Sequence, residues 1–124
     1  PRLTCSSQST PGSGKPLAGI GAAIGTFAQA RGYTLIRNLA SHGVGRALHE
    51  APTEIATWPD RSEKRILREG QVITVEPFLS MGGLWADEGR DGWTLYSRPA
   101  APVVQFEHTV VATRNGPLIL TQLG

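Results

Sequence analysis

A chain of 124 residues suits one domain with a single core, and a 40% apolar share with 15 glycines and 9 prolines describes a globular, turn-rich protein rather than a fibrous one. Twelve basic against ten acidic residues leave a net charge of only +2, with ten scattered arginines and no basic stripe interleaved with aromatics, which excludes nucleic acid as the expected partner. The single cysteine, Cys5, excludes an internal disulfide and a cysteine metal motif, and no apolar run has the length of a membrane span or of a leader segment, so a soluble, cytoplasmic protein with no membrane partner is the expectation.

Residues 1–14 are turn formers and small polar residues that cannot build a core, and they predict a flexible arm carrying an inert surface thiol at Cys5. Leu17, Ile20, Ile24 and Phe27 recur at helical spacing after Pro16, which predicts a helix over 17–31 closed by Gly32. Its three glycines, Gly19, Gly21 and Gly25, weaken it intrinsically, so packing must hold it. Residues 33–36 read as a strand, followed by a turn into His42. A tight glycine turn then spans 43–49, and Pro52 and Pro59 enclose a loop. Residues 62–69 read as a helical turn ended by Gly70, with Arg61, Lys64, Arg65 and Arg68 alternating with Glu63 and Glu69 on a solvated face.

Residues 71–79 form the clearest strand, with Glu76 near its end and Pro77 stopping it. Residues 82–98 read as two short strands about an acidic turn at Asp91-Gly-Trp93. Residues 103–113 form another long strand, and Asn115-Gly116 turns it into a final hairpin arm. One helix followed by antiparallel strands predicts an α+β fold, a sheet covered on one face by a helix.

Three side chains stand out chemically. His42 lies between glycines, Glu76 shares a strand face with Val72 and Thr74, and Glu107 shares one with Gln105 and Thr109 in an otherwise apolar run. A charge in such a setting is costly unless compensated, and one imidazole with two carboxylates is a natural ligand set for a divalent ion. Each residue also has a plainer reading: a structural histidine, an awkward core carboxylate, or the polar face of an edge strand. His49 is seven residues beyond His42, too far for one helical turn to align both on a metal, and suits a contact near the substrate. His108 faces the opposite side of its strand from Glu107. Trp93 is either a core plug or the wall of an apolar pocket.

The segments Ser41-His-Gly-Val-Gly-Arg-Ala-Leu-His-Glu-Ala-Pro52, Glu69-Gly-Gln-Val-Ile-Thr-Val-Glu-Pro-Phe78, Asp91-Gly-Trp-Thr94 and Gln105-Phe-Glu-His-Thr-Val-Val111 together closely resemble the type 1 methionine aminopeptidases, in order and spacing, over residues 15–124. The short span between His49 and Glu76 favours type 1 over type 2, and Glu107-His-Thr differs from the prolidase branch. The resemblance implies the C-terminal half of a pita-bread fold, and hydrolysis of the initiator methionine from nascent polypeptides. It implies His42, Glu76 and Glu107 as metal ligands, Glu76 also as a base, His49 as a catalytic residue that hydrogen-bonds substrate, and Leu48 and Trp93 as walls of the methionine pocket. Leu48 stands where an aromatic is common, and Ser41 where a glycine is usual.

The same resemblance implies two divalent ions (cobalt, manganese, iron or zinc) and two further aspartate ligands in an N-terminal half. This chain has only Asp60, Asp87 and Asp91, all in turns after His42. The expectation is therefore at most one ion, a metalloaminopeptidase activity impaired in the chain alone, and a partner or second copy covering surface that the other half normally covers. The rival expectation is a non-catalytic half-domain serving in binding or assembly.

Overall fold

The structure is a computed structural model and describes residues 12–124. The helix α1 (Ala18–Ala30) is followed by ten strands: β1 (Thr34–Leu35), β2 (Ser41–Gly43), β3 (Glu50–Ile55), β4 (Val72–Val75), β5 (Phe78–Ser80), β6 (Trp85–Glu88), β7 (Leu95–Arg98), β8 (Val103–Gln105), β9 (His108–Thr113) and β10 (Gly116–Ile119). They form a five-stranded sheet in the order β10-β9-β4-β2-β3, a three-stranded sheet β1-β5-β8, and the hairpin β6-β7. Every strand pairing is antiparallel. No helix among the described residues is long and apolar enough to cross a membrane.

The helix occupies the predicted stretch. Leu17 and Ile20 are buried and Ile24 packs against the same cluster, where they meet Ile55, Ile73, Val110 and Ala112 from the large sheet and Leu67 from the segment between β3 and β4. Burying each of the larger aliphatics contributes roughly 1.5–3 kcal/mol. Gly21 is required by packing: a Cβ there would lie 2.1 Å from the carbonyl oxygen of Trp58. At the C-terminus Gly32 takes φ +72°, and Tyr33 donates its N–H to Ala28 O at 2.9 Å, the Schellman closure expected from a glycine at that position.

Strand alternation decides where the site lies. Ile73 faces the helix with Val110 and Ala112, so Val72, Thr74 and Glu76 occupy the other face of the sheet, beside Thr109 and Val111 of β9. The helix and the candidate site thus lie on opposite faces.

Several expectations need correction. The loop expected between Pro52 and Pro59 contains β3, with Pro52 inside it. The strand tolerates proline because β3 is the edge of the sheet, where a missing N–H leaves no ladder bond unmade. Residues 62–69 are irregular instead of helical, with turns at both ends and a single bridge from Ile66 to Pro16. Leu67 is pulled into the core, and its N–H donates to Lys15 O at 2.9 Å while Leu17 N–H donates to Arg65 O at 2.9 Å. The charges there are spent locally: Glu63 accepts from Arg65, whose guanidinium also donates to Thr53 O at 2.7 Å and Glu54 O at 3.1 Å. That guanidinium holds the Glu63 carboxyl below its ordinary value.

The two long strands each break in two. β4 stops before Glu76-Pro77 and β5 joins the smaller sheet; β8 stops before Phe106-Glu107 and β9 joins the larger one. Of the arm expected over 1–14, residues 1–11 with Cys5 lie outside the described residues, while Ser13 and Gly14 donate to Thr113 O and Leu67 O at 3.0 and 2.8 Å.

Candidate metal centre

The paired breaks create the site. Val75 pairs with His108 on one side of the gap and Phe78 with Gln105 on the other, in unchanged register, so Glu76 falls opposite Glu107. Two like charges directly opposite destabilise a sheet, and a shared cation is the ordinary remedy.

β2 brings His42 to the same place. Its ring Nε2 lies 3.1 Å from Glu76 Oε1, with the two side chains only 12% and 15% exposed. Its other nitrogen, Nδ1, is 2.8 Å from the carbonyl oxygen of Gly43. A carbonyl can only accept, so Nδ1 carries a proton and donates. The second nitrogen, Nε2, and the carboxylate oxygen at 3.1 Å need a proton or a cation between them. An imidazole whose N–H is anchored on a backbone carbonyl, with its second nitrogen free toward a carboxylate, is also how metal-ligating histidines are oriented. These two residues fit a divalent ion.

Hydroxyls hold the pair. Thr74 Oγ1 accepts the backbone N–H of His42 at 3.1 Å and donates to Glu76 Oε1 at 2.9 Å. Gln105 Nε2 donates to Glu76 Oε2 at 3.3 Å, and the Glu76 N–H donates to Ser41 Oγ at 3.0 Å. The glycine beside His42 is fixed by crowding, since a Cβ on Gly43 would lie 2.2 Å from Ala51 O. After it the loop is held by Glu50, whose carboxylate accepts the Ala47 N–H at 2.7 Å.

The other expected residues are less closely gathered. Glu107 is exposed, and no group of three or more histidine, cysteine, aspartate or glutamate side chains converges on a metal position among the described residues. His49 is exposed but stacks on His42, with ring centroids 4.0 Å apart and planes tilted by 37°. Leu48 and Trp93 lie on the surface, 73% and 89% exposed, so Trp93 is not a core plug. An open pocket of about 220 Å³ lies between β5, β8 and the β6-β7 hairpin, lined by residues including Leu39, Phe78, Tyr96 and Gln105. Leu48 and Trp93 are not among its lining residues. His108 bonds Thr121 Oγ1 at 2.9 Å and takes no part in the pair.

None of the three aspartates belongs to the cluster. The Asp91 carboxyl is lowered to about 2, chiefly by the Thr94 hydroxyl and then by the backbone N–H groups of Trp93 and Thr94. Asp87 is lowered by its hydrogen bonds from Arg98, and Asp60 by those from Ser62.

Residue type and spacing singled out His42 and Glu76 but missed Ser41, Thr74 and Gln105 as their supports. Thr74 carried a usable signal, two residues before Glu76 on the same strand face. Gln105 carried the same signal relative to Glu107.

Residues 5–114 match the metallopeptidase family M24. The chain belongs to that family. It is 42% identical over 110 residues to a methionine aminopeptidase of Staphylococcus epidermidis, covering 89% of this chain and 44% of that protein. It is 41% identical to methionine aminopeptidase 2 of Bacillus subtilis over the same shares. Among solved structures, the methionine aminopeptidase of Rickettsia prowazekii superposes with a TM-score of 0.84 at 32% identity, over 93% of this chain and 47% of that one. The chain therefore spans about half the length of the relatives it matches, and corresponds to the C-terminal portion of a type 1 methionine aminopeptidase with its pita-bread fold. Divalent metal chemistry comes with the M24 family.

Proposed function

We propose that this chain is one wall of a metalloaminopeptidase cleft, able to hold one divalent ion and impaired, on its own, in removing N-terminal methionine from polypeptides. The observation that carries the reading is the His42–Glu76 pair, an imidazole nitrogen and a carboxylate oxygen 3.1 Å apart with little exposure. His42 and Glu76 hold the ion, and Glu107, opposite Glu76 across the strand break, is the third ligand. Imidazole and carboxylate donors accept cobalt, manganese, iron or zinc. A bound ion of this kind lowers the pKa of water and polarises a carbonyl.

The protein groups divide the remaining work. Glu76 is the base: Oε1 is committed to Thr74 and His42, leaving Oε2, with its longer contact from Gln105, freer to take a proton. His49, stacked on His42 at the rim, hydrogen-bonds the peptide carbonyl. Leu48 and Trp93 line the path of the methionine side chain, and their exposure leaves them to be covered by substrate or by an opposing wall. The substrate is the N-terminus of a peptide or nascent chain. Impairment follows from the donor count, because Asp60, Asp87 and Asp91 are engaged elsewhere.

The test is the chain alone with Mn²⁺ and a Met-Ala peptide. The expected result is one ion per chain by metal analysis and no efficient methionine release. Rapid release would refute the impairment, and no bound metal would refute the site.

A second reading rests on a separate observation. Val104, Phe106, Leu48, Trp93 and Leu123 are each more than 60% exposed, and exposed apolar side chains are available to a partner where they adjoin. In that reading the chain serves in binding or assembly, with a second copy or another protein covering it. Sedimentation showing only monomer at high concentration would count against self-assembly.

A further inference from the structure

We infer that Ser41 is a positioning residue for Glu76, setting the carboxylate opposite His42 by holding its backbone; this rests on the reading of His42 and Glu76 as the ion-holding pair. The regular pairing of β2 with β4 is confined to Gly43 opposite Ile73. Toward the site the ladder is continued by side chains. His42 N–H donates to Thr74 Oγ1 at 3.1 Å, and Glu76 N–H donates to Ser41 Oγ at 3.0 Å. Each residue of the pair is thus fastened by a hydroxyl from the other's strand, and both hydroxyl residues are buried, Ser41 at 0% and Thr74 at 2% exposure.

Glu76 needs such a fastening more than most strand residues. It lies outside β4, in the two-residue gap before β5, and the next residue is Pro77, which has no N–H to donate. The backbone N–H of Glu76 is therefore the one donor available in that gap, and Ser41, the immediate neighbour of His42, takes it. One short side chain ties the backbone of the carboxylate to the residue beside the imidazole. Thr74 acts on the Glu76 side chain, whereas Ser41 acts on its main chain.

The test compares Ser41→Ala and Ser41→Gly with Ser80→Ala. Ser80 is an equally buried hydroxyl that donates to Pro102 O and accepts from Gly83 N–H at 2.9 Å each, away from the pair. Two readouts are taken on the full chain: hydrogen exchange of the Glu76 amide by NMR without metal, and Co²⁺ affinity by absorbance. Both Ser41 variants should exchange the Glu76 amide about fivefold faster. They should also bind Co²⁺ about tenfold more weakly, the loss typical of removing a group that orients a ligand. Ser80→Ala should change neither. Wild-type exchange of Glu76 in the Ser41 variants, or equal loss of Co²⁺ affinity in Ser80→Ala, overturns the proposal. If the wild-type chain takes no Co²⁺ while Ser41→Ala still frees the Glu76 amide, the positioning stands and the ion-holding reading falls.

Discussion

Replacing Thr74 by valine removes one hydroxyl and keeps the shape. In the native chain that hydroxyl accepts the His42 N–H at 3.1 Å and donates to the Glu76 carboxylate at 2.9 Å, in a side chain only 2% exposed. Leaving the buried His42 N–H without an acceptor costs about 1–3 kcal/mol, and the hydrogen bond to a charged group contributes a further ~1.5–3 kcal/mol. Glu76 keeps some access to water and the added methyl returns up to about 0.8 kcal/mol, so the net loss should be about 2–3 kcal/mol. With a urea slope of about 2 kcal/mol per molar, that moves the midpoint of unfolding down by about 1 M at unchanged slope. Thr74→Ser, which keeps the hydroxyl, should lose much less. A valine variant unfolding within about 0.2 M of wild type would show that the hydroxyl does not hold the pair, and the account of the site's support would be wrong.

Three other expectations follow from the same geometry. Gly43→Ala places a Cβ 2.2 Å from Ala51 O, so β2 and β3 must separate; an overpacking cost of about 1–3 kcal/mol and weaker metal binding should appear together in thermal melts and a Mn²⁺ titration. Glu107→Gln removes one of two carboxylates that the register sets opposite each other: without metal the variant should be no less stable than wild type, while its Mn²⁺ affinity falls, and a loss of stability without metal would contradict that placement. Acid should destabilise the β6-β7 turn. Asp91 has its carboxyl lowered from 3.8 to about 2, so its contribution is complete above about pH 4 and is lost as pH falls through about 2. Asp91→Asn should flatten that acid limb in melts recorded from pH 5 to 2, and an unchanged limb would show that Asp91 carries none of it.

What could be read from residue order was the part governed by local chemistry. The helix showed in the spacing of Leu17, Ile20 and Ile24, and its end in Gly32; a final hairpin showed in Asn115-Gly116, though the turn is Arg114-Asn115 and Gly116 already pairs with Thr113 in β10. Glu76 and Glu107 stood out because charges interrupt apolar runs. Less legible was what depends on distant partners. Pro52 reads as a loop until β2 supplies the sheet whose edge it occupies. Residues 62–69 read as a helical turn because Leu67 gives no local sign that the core will claim it. Pro77 announced the break after Glu76, but nothing local marked the one at Phe106-Glu107, which interrupts its strand only opposite Glu76-Pro77. The support from Ser41 was invisible for the same reason: its partner is 35 residues away.

The central claim is that His42 and Glu76 hold a divalent ion in the folded chain. The direct test is a melt with rising Mn²⁺ on wild type and His42→Ala. An ion that binds only the folded form stabilises it by about 2.7 kcal/mol at one hundred times its Kd, a rise in Tm of several degrees for a domain of this size. The account predicts that rise in wild type and its loss in His42→Ala. No rise at millimolar Mn²⁺, or the same rise in both proteins, would contradict it.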